Sequence, residues 1–269
     1  VLEWLERWQG QHGKAVRYWF ASVGELEALC SLATVAADHA DWVYPEVDAS
    51  ATSFEAAALG HPLLPVDECQ RNDVTVGPPN TFLLVTGSNM SGKSTLLRAI
   101  GVNVVLAQAG GPVCAASLGL PNVELATSMR VTDSLSEGVS FFFAELKRLK
   151  EIVDRALEVS PASGRRLLYL LDEILQGTNS AERHIAVTKV IGHLVHSLAI
   201  GAVSTHDLEL ARATELKDQC QTVHFREQFI EEDGQRKMSF DYQLRDGVSP
   251  TTNALKLLEL VGLEETDEA

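Results

Sequence analysis

The sequence predicts an α/β fold in which a mostly parallel sheet is flanked by helices. Residues 81–86, 166–171 and 199–204 are almost continuously apolar, helix-length segments separate them, and a glycine-rich turn follows the first. Strands of a parallel sheet are buried on both faces, so continuous apolar runs are typical of them. The alternation of such runs with helices therefore indicates a sheet with helices packed on both sides.

The first part of the chain is predicted to be a short helical segment. Residues 1–40 carry apolar residues at helical spacing, whereas residues 41–269 show the α/β pattern. Ser22 followed by Glu25 forms a capping-box pair, which marks the start of a second helix. We therefore expect two helices divided near residues 10–13, followed by a single large domain.

The remaining elements follow from the same two periodicities. Short strands are predicted within 53–57 and 73–76. One helix is predicted to end near residue 109, another to begin at 141, a third to span 180–198 and a last one to span 250–261. A hairpin is predicted over 225–244, with its turn at 232–234.

Composition and charge exclude several classes of protein. Hydrophobic residues make up 45% of the 269 residues and charged residues 22%, which is typical of globular proteins. With 22 basic and 37 acidic residues the net charge is −15, which disfavours non-specific nucleic-acid binding by this chain alone. No uncharged apolar run approaches the roughly 20 residues that span a bilayer, so we expect no membrane segment.

The cysteines and the first residue add two expectations. None of the four cysteines forms a C-x-x-C pair, so we expect reduced thiols, no cysteine metal site and a cytoplasmic location. The chain begins at Val1 rather than Met, so we expect it to be part of a longer protein.

The strongest motif is a phosphate loop at residues 87–94, which fits G-x-x-x-x-G-K-[ST] at every fixed position. Its glycines allow successive backbone N–H groups to face a phosphate oxygen, and the following helix adds its positive end. Lys93 would contact the β- and γ-phosphates, and the Ser94 hydroxyl would bind Mg²⁺. The predicted nucleotide-binding residues are Gly87, Ser88, Asn89, Met90, Ser91, Gly92, Lys93, Ser94 and Thr95.

Polar residues end the other two apolar strands. Asp172 and Glu173 follow the second strand, and His206 follows the third. Ligands bind at the carboxyl ends of the strands in open α/β sheets. Asp172 is predicted to hold Mg²⁺ directly or through water, Glu173 to act as general base for the attacking water, and His206 to contact the γ-phosphate or that water.

Taken in order, these residues resemble the ATPase domain of the MutS family of DNA mismatch-repair proteins, which belongs to the ABC-type ATPases. The resemblance covers roughly residues 22–263 and implies an ABC-type P-loop NTPase fold, with Mg-dependent ATP hydrolysis. The segments that carry it are T-G-S-N-M-S-G-K-S-T at 86–95, D-S-L-S-E-G-V-S-F-F-F-A-E at 133–145, D-E-I-L-Q-G-T-N-S at 172–180, S-T-H at 204–206, and G-H-P and N-D-V at 60–62 and 72–74.

The resemblance also implies partners. It implies a homodimer with two composite ATP sites, in which Ser140 of one subunit reaches the γ-phosphate bound by the other. Residues 1–40 would form the base of the family's lever arms, and the C-terminal helical region would belong to the dimer interface. DNA would be contacted by regions outside this chain.

Four positions differ from the family pattern. The family sandwiches adenine between an aromatic residue and a histidine; His224 resembles the histidine, but Cys69 stands where the family often has Phe. Leu175 and Gln176 replace a Gly-Arg pair, and Ser88 replaces a Pro, which indicates a divergent MutS-related branch.

Three functions remain open at this point. The chain is an ATP-hydrolysing dimerisation module of a DNA-acting protein, a nucleotide-gated binding module with slow hydrolysis, or an ABC-type ATPase with another role such as transport or chromosome organisation. A transporter-type L-S-G-G-Q signature is absent, and the presence of Glu173 favours hydrolysis over binding alone.

Overall fold

A computed structural model describes residues 1–129, 141–159, 164–175, 179–212, 215–232 and 235–249. Within these ranges four segments form α-helices and twelve form strands. The helices are α1 (Leu2–Asp38), α2 (Lys93–Gln108), α3 (Phe141–Glu158) and α4 (Ser180–His196). The strands are β1 (Glu46–Val47), β2 (Phe54–Leu59), β3 (Asn72–Val76), β4 (Phe82–Thr86), β5 (Ser117–Leu120), β6 (Val123–Ser128), β7 (Arg166–Asp172), β8 (Ile200–Thr205), β9 (Cys220–His224), β10 (Glu227–Glu232), β11 (Gln235–Phe240) and β12 (Arg245–Asp246).

The strands form three sheets. The central six-stranded sheet has the order β12-β9-β4-β8-β7-β6, and its neighbours run parallel except for β12, which is antiparallel to β9. A four-stranded sheet, β1-β5-β2-β3, contains both parallel and antiparallel pairs, and β10 and β11 form an antiparallel hairpin. The α/β class is confirmed, but the prediction of one mostly parallel sheet is too narrow because the sheets are mixed.

The three predicted apolar strands lie side by side in the central sheet, and the packing explains their continuous apolar character. In β4, Leu83 and Val85 point into a layer that contains α2, whereas Phe82 and Leu84 point into the opposite layer with α3 and α4. Successive strand residues face opposite sides of a sheet. Both faces are covered here, which explains why these four positions of the strand are apolar.

Gly201 in β8 shows how closely the second layer is packed. A Cβ at this position would lie 2.3 Å from Cδ2 of Tyr169, whose side chain is fully buried. We expect Gly201→Ala to lower the free energy of unfolding by about 1–3 kcal/mol, the usual cost of overpacking a core. Urea denaturation measures the change.

Gly192→Ala is the matched control, because a Cβ at Gly192 in α4 would meet no atom within 4 Å. Alanine favours helix over glycine by about 1 kcal/mol, so this variant should be at least as stable as the unaltered chain. Equal urea midpoints for the two variants would contradict the tight packing of Gly201 on Tyr169.

The N-terminal segment differs from the sequence prediction. Residues Leu2–Asp38 form one continuous helix rather than two helices divided near residues 10–13. A glycine in a helix interior costs about 1 kcal/mol, which is too little to end a helix whose flanking residues favour it.

The surface of α1 is exposed along its whole length. None of its residues is buried, and large side chains such as Trp4, Tyr18 and Phe20 are exposed. An 18-residue window of α1 has a mean hydropathy of 1.4, which meets the length and composition of a membrane-crossing helix. The expectation of no membrane segment therefore meets one candidate helix among the described residues, and a single such helix near the N-terminus is weak evidence of a membrane span.

Other predicted elements agree with the structure to within a few residues. The strands near 53–57 and 73–76, the helix after the phosphate loop, the helix that begins at Phe141 and the hairpin of β10 and β11 are confirmed. Part of the predicted hairpin turn and the predicted last helix over 250–261 lie outside the described residues.

Candidate active site

The phosphate loop connects β4 to α2 and depends on its two glycines. Gly87 and Gly92 have φ angles of 145° and 108°, in the region that favours glycine. A Cβ at Gly87 would lie 2.8 Å from Oγ of Ser91 and 2.9 Å from the carbonyl oxygen of Phe225. Side chains at these positions would therefore distort the loop.

Lys93 is the first residue of α2, and its side chain is buried beneath the loop. The side chain is 4% exposed, and Nζ donates to the carbonyl oxygens of Gly87 at 3.0 Å and Ser88 at 2.8 Å. Nζ also lies 3.1 Å from Oε1 of Glu173. The structure thus brings together the predicted phosphate-binding cation and the predicted general base.

Three polar side chains meet where β4, β7 and β8 end. The hydroxyl of Ser94 donates to Oδ1 of Asp172 at 2.9 Å, and the hydroxyl of Ser204 donates to the same oxygen at 2.5 Å. The predicted metal-binding pair, Ser94 and Asp172, is therefore in direct contact. Ser204 holds the carboxylate from the neighbouring strand, a role that sequence reasoning did not assign to it.

Glu173 follows β7 in a tight turn. Its φ angle is 48°, an uncommon conformation for a residue other than glycine. Its backbone N–H donates to both the carbonyl oxygen and the hydroxyl of Ser204, each at 3.1 Å. Oε1 lies 3.6 Å from Nδ1 of His206. The predicted catalytic residues Lys93, Glu173 and His206 thus surround one small volume.

A cavity of about 780 Å³ opens beside this cluster. One wall consists of the phosphate loop and the start of α2, and the opposite wall of the connection from β2 to β3. Burial lowers the pKa of His61 on that opposite wall, so its imidazole is neutral near pH 7. Its lining includes Cys69, Asn72, Lys93, Ser94, Glu173 and Tyr242.

Tyr242 is a lining residue that sequence reasoning missed. A Cβ on Gly92 would lie 3.2 Å from Cδ1 of Tyr242, so the ring is close to the start of α2. Asn72 holds this segment: its Nδ2 donates to the carbonyl oxygen of Tyr242 at 3.0 Å, and its Oδ1 accepts from the N–H of Leu244 at 2.8 Å. The N-D-V element was the available signal, because Asn72 is its first residue.

His224, the predicted adenine contact, and Cys69, which stands where the family often has Phe, lie in different places. Cys69 lines the cavity, but His224 is not among the lining residues of the described part of the chain. The His224 side chain is 8% exposed, and its Nδ1 lies 3.1 Å from the carbonyl oxygen of Gly247. His224 also pairs with Thr86 between β9 and β4. His224 also pairs with Arg245 of β12 on its other side, so it is a buried residue within the sheet.

The loop fits an anionic ligand. Oγ of Ser88 and Oγ of Ser91 are buried, and neither has a hydrogen-bond partner within the described ranges. Buried polar atoms are nearly always hydrogen-bonded, and phosphate oxygens would supply acceptors for both hydroxyls.

The Ser94 and Asp172 pair fits Mg²⁺, which prefers oxygen ligands and is usually held by one or two carboxylates together with substrate phosphates and water. Across the described residues no group of three His, Cys, Asp or Glu side chains could hold a metal. Phosphate oxygens would therefore have to complete the coordination.

Parts of two predicted segments lie outside the described residues. They are residues 133–140 of the signature segment, which include Ser140, and residues 176–178, which follow Leu175.

The strand-end cluster and the phosphate loop define a P-loop-type domain, and comparison with known proteins identifies its family. The family model for MutS domain V matches residues 83–266, which is more than half of the chain. The chain therefore belongs to the MutS family, and this region is its ATPase domain.

Individual relatives agree with this assignment. The chain is 31% identical over 250 residues to the DNA mismatch repair protein MutS of Natronomonas pharaonis, covering 91% of this chain and 27% of that protein. It is 30% identical over 271 residues to the DNA mismatch repair protein MSH6 of Arabidopsis thaliana, covering 95% and 20%. It is 35% identical over 203 residues to MutS of Chlorobium chlorochromatii, covering 72% and 22%. The chain thus spans about a quarter of the length of these relatives.

Proposed function

We propose that this chain is a Mg-dependent ATPase domain that couples its nucleotide state to conformational change in a MutS-related DNA repair protein. The observation that carries the proposal is the contact of Ser94, Asp172 and Ser204 beside the phosphate loop, with Lys93 and Glu173 on the same side. This is the arrangement that phosphoryl transfer requires: positioned donors for the phosphates, a carboxylate for the metal and a base for water.

Each side chain has a defined task in this proposal. Lys93 and the N–H groups of the loop bind the phosphates, and the aromatic ring of Tyr242 stacks on the adenine base of ATP. Mg²⁺, held by Ser94 and Asp172, supplies positive charge against the phosphate oxygens. Glu173 accepts a proton from the attacking water as the bond to the leaving ADP breaks, which yields ADP and phosphate.

His206 belongs to the same proton network. Its Nδ1 lies 3.6 Å from Glu173, so it is placed to orient the water or the γ-phosphate. Ser204 is a positioning residue, because it contacts Asp172 and the backbone of Glu173 rather than the ligand.

We also propose a homodimer that works in the cytoplasm and in which Ser140 of each subunit completes the site of the other. The C-terminal region after residue 249 would contribute to this interface, and residues 1–40 would transmit the change to the rest of the protein. DNA would be bound by regions outside this chain, in keeping with the net charge of −15.

Titration of ATP into the unaltered chain by calorimetry tests the nucleotide proposal. We expect one ATP per chain, with tighter binding in Mg²⁺ than in EDTA. No heat in either buffer would contradict the proposed function.

A mixing experiment tests the composite site. A Lys93→Ala chain lacks a working phosphate loop, and a Ser140→Arg chain lacks a working signature segment. Each mixed dimer should form one intact site, so the mixture should hydrolyse ATP well above either variant alone. The control replaces the second chain with a Lys93→Ala, Ser140→Arg double variant, which can complete no site. No rise at concentrations where mixed dimers form would mean that each subunit works alone.

Three variants test which residue contacts the adenine base of ATP. We expect Tyr242→Ala to raise the Kd for ATP about 5- to 100-fold, since stacking of a base on an aromatic ring is worth about 1–3 kcal/mol. Tyr242→Phe keeps the ring and should bind nearly as the unaltered chain does. His224→Ala should change the Kd less than Tyr242→Ala. A larger increase in Kd for His224→Ala than for Tyr242→Ala would favour stacking of adenine on His224.

A further inference from the structure

Two free thiols, those of Cys69 and Cys114, lie together beside Gly60 although they are far apart in the chain. A Cβ on Gly60 would lie 2.7 Å from Sγ of Cys114 and 2.9 Å from Sγ of Cys69. The two sulfur atoms are therefore no farther apart than the sum of these two distances. Because glycine has no side chain, the space next to both sulfur atoms stays open, and nothing on Gly60 keeps them from approaching each other.

Cys114 is the fixed member of this pair. It is 3% exposed, its backbone N–H donates to Oδ1 of Asn103 at 2.7 Å, and its carbonyl oxygen accepts the N–H of Gly60 at 2.8 Å. Asn103 is fully buried in α2, and its Nδ2 donates to the carbonyl oxygen of Gly60 at 2.9 Å. Burial raises the pKa of the Cys114 thiol to about 11. A protonated, enclosed thiol is a poor first target for an oxidant.

Cys69 is the accessible member of the pair. It is half-buried and lines the nucleotide cavity, and its Sγ lies 3.8 Å from the carbonyl oxygen of His61. Cγ of Arg71 lies 3.3 Å from the same Cβ position on Gly60, so a cationic side chain passes close to both thiols, with its guanidinium paired to Asp41. A nearby cation favours the thiolate, which is the reactive form. A small solute in the cavity therefore meets Cys69 before Cys114.

We propose that Cys69 and Cys114 are a peroxide-responsive thiol pair that closes to a disulfide in the wall of the nucleotide cavity. The Cys69 thiolate attacks one oxygen of hydrogen peroxide, an S–O bond forms as the O–O bond breaks, and the released hydroxide takes up a proton to give water. The Cys114 sulfur then attacks the sulfenic sulfur of Cys69. The S–S bond forms, the S–O bond breaks, and the leaving hydroxide takes the thiol proton as a second water. The two thiols lose two electrons, and the peroxide gains them.

The position of Cys69 also couples the thiol pair to the nucleotide. A ligand that fills the cavity covers the Cys69 thiol, so bound ATP should keep peroxide away from it. This coupling rests on the proposed ATPase function, whereas the closure of the thiol pair without nucleotide does not.

Peptide mapping after peroxide treatment tests the thiol pair directly. The protein carries Cys30→Ser, because Cys30 is exposed and its thiol could join two chains. Remaining thiols are alkylated after unfolding, and the peptides are analysed by mass spectrometry. We expect the peptides of Cys69 and Cys114 to be joined and to separate again on reduction. Cys220, whose pKa burial raises to about 12, should stay free and serves as the internal control. Cys69 and Cys114 both alkylated, or Cys69 oxidised to the sulfinic acid with Cys114 alkylated, would overturn the proposal.

Two single variants test the order of the steps. In Cys114→Ala the second thiol is missing, so Cys69 should accumulate as the sulfenic acid and react with dimedone. In Cys69→Ala the thiol of Cys114 should remain reduced. Dimedone on Cys114 in the Cys69→Ala chain, with none on Cys69 in the Cys114→Ala chain, would overturn the assigned order. Urea denaturation of the reduced variants checks that both are folded, and the mapping with both thiols present does not depend on either.

Protection by nucleotide tests the coupling. A non-hydrolysable ATP analogue with Mg²⁺, at about ten times its Kd, should slow formation of the bridge about tenfold, because only the unliganded fraction reacts. A Lys93→Ala chain at the same analogue concentration should be protected less. An unchanged rate in a chain that calorimetry shows to be liganded would overturn the coupling. If the analogue does not bind at all, the proposed function fails, and the bridge formed without nucleotide still decides whether the thiol pair exists.

Discussion

Glu173→Gln is expected to bind ATP about as tightly as the unaltered chain and to hydrolyse it about 10²–10⁴-fold more slowly, the usual cost of losing a general base. The amide has the shape of the carboxylate but cannot accept the proton of the attacking water. Binding should persist because the substitution removes a negative charge 3.1 Å from the Lys93 ammonium, which leaves that cation free for the phosphates. Single-turnover phosphate release measures the rate, and calorimetry measures the affinity.

Glu209→Gln is the matched control for this variant. The chemical change is the same, but Glu209 is an exposed residue beyond the end of β8. The Glu209→Gln variant should hydrolyse ATP at the rate of the unaltered chain.

ATP trapped in the Glu173→Gln variant should also stabilise the dimer. Turnover by Glu173→Gln at the unaltered rate would remove Glu173 from the mechanism.

Lys93→Ala is expected to raise the Kd for Mg-ATP about 30-fold or more. Truncation of one partner in a buried charge pair costs about 2–5 kcal/mol, and each 1.4 kcal/mol is a factor of ten. The Lys93 side chain is 4% exposed, so solvent screens its charge very little. Equilibrium titration of a fluorescent ATP analogue measures the change.

Lys189→Ala removes the same charge from an exposed position of α4 and serves as the control. Its Kd should match that of the unaltered chain. Urea denaturation of Lys93→Ala tests whether the loop stays folded. An unchanged Kd in a folded Lys93→Ala chain would mean that the nucleotide binds elsewhere.

The centre of the fold was predictable because its strands are buried on both faces. The first four positions of β4 pack into one of two apolar layers, so the sequence there is continuously apolar. The positions of Ser94 and Asp172 follow from the same fact, since parallel strands bring their carboxyl ends to one edge of the sheet. Their contact at 2.9 Å agrees with that expectation.

Other strands of the sheets were not predictable in the same way. Strand β9 has one exposed, three partly buried and one buried residue in no alternating order, and β5 has only four residues. Neither strand has a local sequence pattern that differs from that of a loop. Pairing with the neighbouring strands of the sheet therefore determines that each segment forms a strand. The position of Tyr242 likewise depends on Asn72, 170 residues earlier in the chain. A contact of that kind has no local signal.

Phosphate release by the unaltered chain at saturating ATP is the most direct test of ATP hydrolysis at this site. We predict repeated turnovers in Mg²⁺, with one ADP formed for each phosphate, and little release in EDTA because Ser94 and Asp172 would lack their metal. If the unaltered chain in Mg²⁺ releases phosphate no faster than the Lys93→Ala chain does, the assignment of ATP hydrolysis to this site is contradicted.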